Sequence, residues 1–164
     1  MTSNQTMRVR RASADDANVL ATLRHEFRAS RATPDEAEHE FTARCTTWMR
    51  ERLTDDAHWR AWILERDDAV AGNIWLQIID KLPNPGVEPE AHGYLTNFFV
   101  RSEHRNRGGG AALVSALLED CAALELDAVF LWPTDQSRPL YMRHGFRSAD
   151  DMLARRRGDA SHAR

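Results

Sequence analysis

The chain has 164 residues, of which 42% are hydrophobic, and this length suits one domain with a single sizeable core. Its 25 acidic and 22 basic residues give a net charge of −3, which disfavours a protein whose main role is to grip a nucleic-acid backbone. No apolar run approaches the roughly 20 residues that span a bilayer, and the N-terminus lacks the apolar core of a secretory signal. We therefore expect a cytoplasmic protein that binds neither nucleic acid nor membrane.

After a short first strand at residues 7–11, two capping signals predict two consecutive helices. The segment SADD at residues 13–16 places a serine at the N-cap and an acid three residues on, which starts a helix over residues 14–29. The segment TPDE at residues 33–36 repeats the device, with its threonine at the N-cap and a proline at the first helical position. The sequence therefore predicts a second helix that begins directly after Thr33.

The middle of the chain changes to runs that are rich in aromatic and β-branched residues. Residues 59–65 and 69–79 flank a short polar turn and predict a hairpin. The segment that follows contains three prolines, so we expect an exposed loop. A strand resumes over residues 93–100, and in its end, NFFV, the last three residues are continuously apolar, as in an interior strand with both faces covered.

The last third of the chain alternates helix and strand. Three glycines lead a helix of about 15 residues, and AVFLW at residues 128–132 predicts a buried strand. A short helix then ends at a turn on Gly145, where φ > 0 is expected, and residues 151–155 could close the sheet. The order of elements predicts one α/β (α+β) domain over residues 1–164, with a core at 7–155 and a flexible C-terminal tail at 156–164.

Cysteine and histidine spacing predicts no metal site. Cys45 and Cys121 both fall among apolar residues of predicted helices, which favours two buried, reduced thiols. The seven histidines show no HxxxH spacing, and the chain contains no CxxC pair.

The helix that begins at the glycines has the features of an anion site. The first backbone N–H groups of a helix lack partners inside it, and the helix dipole adds positive charge there. Glycines remove Cβ atoms that would hold a phosphate away, and Arg101, Arg105 and Arg107 add donors suited to phosphate oxygens. The spacing matches neither the P-loop nor the dinucleotide-binding fingerprint. A tight strand-to-helix turn without a ligand is the alternative.

A third pattern does match. The segment VRSEHRNRGGGAALVSALL resembles the acetyl-CoA segment of the GNAT N-acetyltransferase superfamily, whose signature Arg/Gln-x-x-Gly-x-Gly/Ala falls on Arg105, Gly108 and Gly110. The strand LTNFFV precedes it at the family's spacing, and RPLYMRHGF resembles the family's Tyr-xxx-Gly-Phe segment. The resemblance covers most of the chain. It implies a mixed, mostly antiparallel sheet of six to seven strands, with a splayed central strand pair and about four flanking helices.

The resemblance also implies acetyl-CoA as the acetyl donor. Backbone N–H groups would hold its pyrophosphate, and the end of the preceding strand would pair with the pantetheine arm. The residues implicated are Phe98, Phe99, Val100, Arg105, Asn106, Arg107, Gly108, Gly109, Gly110 and Ala111. Because Gly109 occupies a free position of the signature, we expect Gly109→Ala to be tolerated and to stabilise by about 0.5–1 kcal/mol. Gly108→Ala should weaken acetyl-CoA binding.

Three further residues have roles that the resemblance implies. Tyr141 stands where the family's tyrosine protonates the departing CoA thiolate, although a packing role under the sheet is the alternative. Thr134 stands where many members carry an asparagine that bonds the CoA arm. Ser137 could bond the cofactor or cap the short helix, and we favour the cap.

The resemblance favours direct acetyl transfer to a primary amine, and we expect a small-molecule acceptor because the chain has little beyond its core domain to grip a macromolecule. The alternatives are acetylation of a protein N-terminus or lysine and a non-catalytic acyl-CoA binding or sensing module. A tRNA-acetylating toxin is disfavoured by the net charge. The aromatic-rich strands could supply a homodimer interface. The general base stays open among Glu90, His92, His25, Glu26 and a chain of waters.

Overall fold

The computed structural model describes residues 6–157, which divide into two compact units with the boundary between Trp132 and Pro133. The first unit contains β1 (Met7–Arg11), α1 (Ala17–Ala29), α2 (Glu38–Asp55), β2 (Trp59–Arg66), β3 (Ala69–Asp80), β4 (Ala91–Val100), α3 (Gly109–Ala123) and β5 (Val129–Phe130). The second contains α4 (Arg138–Arg143). The single domain over residues 1–164 stays a prediction. Most of the predicted tail, residues 158–164, lies outside the described residues.

The sheet has the strand order β1-β2-β3-β4-β5, and all neighbours are antiparallel except the parallel pair β4 and β5. The predicted hairpin is confirmed, because β2 and β3 pair along their lengths. The expectation of six to seven strands is wrong for the described residues. The segment at residues 151–155 forms no strand, since its two apolar side chains, Met152 and Leu153, are adjacent instead of alternating and are 48% and 98% exposed.

The start of the first helix confirms one capping signal. The Asp16 carboxylate accepts a hydrogen bond from the Ser13 backbone N–H at 2.8 Å, as a capping box requires. The first turn, Ala14–Asp16, is a 3-10 helix, and α1 begins at Ala17. The same carboxylate accepts two hydrogen bonds from Arg10 of β1, at 2.8 and 2.9 Å. One side chain therefore closes the capping box of the 3-10 turn that leads into α1 and ties that turn to the sheet.

The second capping signal is wrong. The second helix, α2, begins at Glu38 with Ala37 at its N-cap, four residues later than Thr33. The Glu36 carboxylate does not serve a cap on Thr33, because it accepts hydrogen bonds from Arg44 at 2.6 and 3.2 Å. An ion pair with a residue in the second turn of α2 therefore replaces the predicted capping box.

Helices of the first unit cover both faces of the sheet. One core combines α1, α2 and the sheet through Leu20, Met49, Leu53, Ile63 and Trp75. Adjacent residues of a strand point to opposite faces, and Leu64, which follows Ile63, lies against the start of α3. The sheet therefore separates the pair α1 and α2 from α3.

The pairing of β4 changes twice along its length. Its register with β3 shifts between Asn73 and Trp75, which places one extra β4 residue near Asn97, whose φ of 50° is left-handed. On its other side β4 pairs with β5 only through Gly93 and Tyr94. Beyond Tyr94, no strand of the described chain pairs with this edge. The pairing stops because β5 ends at Phe130, and the splayed central strand pair that the resemblance implies stays a prediction.

Candidate acetyl-CoA and acceptor site

The loop between β4 and α3 is held in a conformation that needs glycine. Arg105 folds back and donates from Nε to the Val100 carbonyl at 2.8 Å. Asn106 and Gly108 have φ of 57° and 81°, and Gly108 is the N-cap of α3. A Cβ on Gly108 would meet no atom within 4 Å, so there is room for a side chain. Glycine is favoured here because of the backbone conformation. The predicted signature residues thus form one turn at the start of α3.

Gly109 is constrained in a different way. It is buried, and a Cβ built on it would clash with Cδ2 of Leu64, a fully buried side chain of β2. The expectation that Gly109→Ala is tolerated and stabilising is therefore reversed, because the new methyl group would press on a packed core. The signature allows any residue at this position, and the sequence alone did not predict that Leu64 of β2 packs against it.

A buried cation lies under the same loop, and the sequence analysis did not single it out. Arg66, the last residue of β2, is 5% exposed and donates from Nη2 to the Arg107 carbonyl. Among residues 6–157 no carboxylate forms an ion pair with it. Because the carbonyl and the next N–H of a trans peptide point in opposite directions, the Gly108 N–H is directed away from Arg66. Arg66 therefore orients one amide of the loop and places positive charge behind it.

The end of β4 borders a cavity of about 550 Å³, lined by Glu26, Ser30, Phe99, Arg101, Ser102, Glu103 and Arg105. Arg101 donates to both carboxylate oxygens of Glu26, at 2.6 and 2.8 Å. This arginine was expected to serve phosphate, and it is paired with an acid instead. The same contact occupies Glu26, one of the four side chains considered as a general base.

The other three candidates for the general base lie in two places. Glu90 is exposed in the proline-containing loop, and His92 is at the start of β4 with Nδ1 3.8 Å from an Asp127 oxygen. Asn97 lies five positions after His92 along β4, which corresponds to a distance of about 16 Å along the strand. His25 lies on α1, the helix that contacts the β4 bulge, with Nδ1 3.9 Å from Glu38. No role for any of them is established.

Tyr141 lies in the second unit, on α4. Its side chain is 5% exposed, and its ring meets that of Phe146 edge-on with centroids 5.6 Å apart. Burial raises the pKa of its phenol above the ordinary value, so the hydroxyl keeps its proton near neutral pH. Gly145 has the expected positive φ, 86°. The phenol is therefore in the protonated form that an acid needs.

Thr134 and Ser137 bond to each other. The Ser137 hydroxyl accepts from the Thr134 N–H at 2.9 Å and lies 3.0 Å from Thr134 Oγ1. The predicted side-chain cap is wrong, because Ser137 holds the N-cap position with helical backbone angles and makes no capping hydrogen bond. Contacts of either residue with CoA stay predictions.

An aromatic cluster lies where β4 and β5 pair. Tyr94 stacks on Phe130 with ring centroids 5.4 Å apart, and Trp132 meets both rings edge-on at 5.1 and 5.8 Å. Tyr94 is opposite Gln77, two residues beyond Trp75, so it points to the sheet face that α1 and α2 cover. Trp132 is 54% exposed. The open side of β4 thus has an apolar wall.

The open edge of β4 leads into the start of α3, where backbone N–H groups lack partners inside the helix, and this arrangement suits a long, phosphate-bearing ligand. The model of the acetyltransferase (GNAT) family matches residues 20–146, and the chain belongs to this family, which uses acetyl-CoA as its acetyl donor. No curated protein sequence matches the chain significantly. Within the described residues, no helix has the length and apolar character needed to cross a bilayer.

Solved structures show the same fold. A predicted acetyltransferase from Clostridium acetobutylicum, crystallised with acetyl-CoA, is 20% identical with a TM-score of 0.76, over 92% of this chain and 96% of that one. A GCN5-related N-acetyltransferase from Ralstonia eutropha JMP134 is 26% identical with a TM-score of 0.73, over 92% and 98%. Glucosamine-6-phosphate N-acetyltransferase from Arabidopsis thaliana is 18% identical with a TM-score of 0.68, over 92% and 98%.

Proposed function

We propose that the protein transfers the acetyl group of acetyl-CoA directly to the primary amine of a small molecule. The observation that carries this is the open edge of β4, which runs into the turn at Gly108 and the start of α3. The open edge offers main-chain partners to a pantetheine arm, and the helix start offers N–H groups to a pyrophosphate. Both features belong to one continuous segment, which suits one extended donor.

The reaction would proceed in two bond changes. The neutral amine attacks the thioester carbonyl carbon, and a backbone N–H near Phe98 or Phe99 stabilises the oxyanion that forms. The C–S bond then breaks, and Tyr141 gives its proton to the thiolate. The nitrogen loses one proton to a base, which leaves an acetamide, CoA thiol and a phenolate that regains its proton from solvent.

The role of Tyr141 is tested by Tyr141→Phe. We expect kcat to fall by about a hundredfold, in the range for loss of a general acid, while the Kd for acetyl-CoA from calorimetry stays within about twofold. Since burial raises the pKa of the Tyr141 phenol, ionisation of this group should not lower kcat until the pH exceeds the ordinary value of about 10. Equal turnover in the two proteins, with chemistry limiting, would remove Tyr141 from the mechanism.

Transfer itself is tested by a screen for CoA thiol release over polyamines, amino acids, aminoglycosides and short peptides. Burial raises the pKa of both protein thiols, that of Cys121 to about 12, so they react slowly with a thiol reagent and the signal reports CoA. Tight acetyl-CoA binding without thiol release from any amine would contradict the proposal and favour a binding module. Acetylated proteins found by mass spectrometry, without small-amine turnover, would favour a protein acetyltransferase.

A further inference from the structure

A side chain from α1 reaches the bulge of β4. Arg24 donates from Nη1 to the Asn97 side-chain oxygen at 3.2 Å, and Asn97 is the left-handed residue at which the register of β4 shifts. Its guanidinium also lies over the ring of Phe27, with Cζ 5.8 Å from the centroid. Phe99, one of the proposed oxyanion donors, packs its ring 5.5 Å from the same phenylalanine. Arg24 therefore lies beside the proposed position of the acetyl group.

Within the described part of the chain, Arg24 lacks the acidic partner that three other part-buried arginines of this unit have, a lack that it shares with the buried Arg66. Arg10, Arg60 and Arg101 each contact at least one carboxylate, at 2.6–2.8 Å. No carboxylate of the described chain forms an ion pair with Arg24, although its side chain is half-buried. A part-buried cation that lacks a counter-ion is costly, because burial penalises the charged form without a compensating partner. An anion on a ligand would supply that partner.

No carboxylate of the described residues is among the ionisable groups that influence Arg24. Burial lowers the pKa of Arg24, and the nearby cations Arg28 and Arg31 lower it further. The other groups that influence it are the side chains of Cys45, whose burial-raised pKa keeps the thiol neutral near pH 7, and Tyr94. Tyr94 belongs to the aromatic cluster with Phe130 and Trp132. The environment of Arg24 thus combines a cation with an apolar wall.

We infer that Arg24 binds an acidic group, a carboxylate or a phosphate, on the acceptor amine. The inference rests on the proposed function and names the class of amine that this site takes. A guanidinium offers a planar fork that fits either group through two hydrogen bonds. The same cation disfavours a polycationic acceptor such as an aminoglycoside, since like charges would meet at the bulge.

The inference is tested with matched pairs of amines that differ only in the acidic group. One arm compares L-amino acids with their C-terminal amides, and the other compares O-phosphoethanolamine with ethanolamine, so the two arms separate carboxylate from phosphate. Wild-type protein should acetylate the acid of one arm with a kcat/KM about tenfold to a hundredfold above that of its neutral partner. Arg24→Gln should lose this preference, and Arg24→Lys should keep part of it.

Arg28→Gln is the matched control. Arg28 is exposed and lies one helical turn further along α1, and its replacement removes the same charge as Arg24→Gln does. It should keep the preference for the acid. The Kd for acetyl-CoA and the melting temperature of Arg24→Gln are measured alongside, so that loss of the fold is recognised. If that variant unfolds, the inference is decided by the wild-type ratio of kcat/KM between the acidic amine and its neutral partner.

Three results would overturn the inference. The first is a wild-type preference for neutral or cationic amines. The second is an equal loss of kcat/KM for the acid and its neutral partner in Arg24→Gln. Either result would show that Arg24 does not bind the acidic group, while the proposed acetyl transfer would stand. Thiol release from no amine of either arm or of the wider screen would instead overturn the proposed function, and the inference with it.

Discussion

The two sides of the β4 bulge differ in what they are made of. On the side that leads to α3, the groups proposed to bind a ligand are backbone N–H groups, in a turn held by the left-handed Gly108 and by Arg66 behind the loop. On the side that faces α1, they are side chains from distant parts of the chain, Arg24 and the aromatic cluster around Tyr94. A backbone site suits a ligand that never changes, and a side-chain site can be varied for each acceptor.

Among the variants that should affect one side of the bulge and not the other, Gly108→Ala is expected to have the largest effect. An L-residue at φ 81° costs about 1–2 kcal/mol, so the turn should shift and lose its aligned N–H groups. We expect the Kd for acetyl-CoA to rise at least about tenfold, measured by calorimetry. The ratio of kcat/KM between acid and neutral amines should stay unchanged. A Kd within twofold of wild type would show that the turn does not hold the donor.

Gly109→Ala should have its main effect on stability. The added methyl group meets buried Leu64 of β2, and overpacking of this kind costs about 1–3 kcal/mol in the free energy of unfolding. Denaturant titration measures it, and the Kd for acetyl-CoA should change less than in Gly108→Ala. In a Leu64→Ala background, which makes room for the methyl group, the added cost of Gly109→Ala should largely disappear. An equal cost in both backgrounds would contradict the steric explanation.

The same division explains how far sequence alone could reach. The glycine-led turn and the bounds of β2 to β4 come from local chemistry, because φ, capping and strand alternation act over a few residues. Arg24 had no such signal, since its partner Asn97 is 73 residues away and only the packing of α1 on the sheet brings them together. The helix start predicted at Thr33 was wrong because the Glu36 carboxylate accepts a hydrogen bond from Arg44 instead of completing a capping box. Contacts between side chains, within one segment for Glu36 and Arg44 and across the fold for Arg24 and Asn97, were therefore what the local sequence signals missed.

The smallest effect is expected where α1 is tied to the sheet. Asp16 caps the first turn and pairs with Arg10 of β1 through two hydrogen bonds. The hydrogen bond from Arg10, followed by the one from the Ser13 backbone, lowers the pKa of Asp16 despite some burial. Asp16→Asn should therefore reduce the free energy of unfolding by about 1 kcal/mol at neutral pH, whereas exposed Asp15→Asn should change it little.

The pH dependence of that difference follows from the sign of the shift. Because the pKa of Asp16 is lower in the folded protein, its stabilisation is fully present above the unfolded value of about 3.9 and is lost as pH falls through the folded pKa. The stability gap between wild type and Asp16→Asn, measured by denaturant titration, should close in acid. Because Arg24 lies two turns further along α1, the variant should raise KM for the acceptor slightly and leave the Kd for acetyl-CoA unchanged. A change in the Kd for acetyl-CoA instead would mean that the two sides of the bulge are not independent.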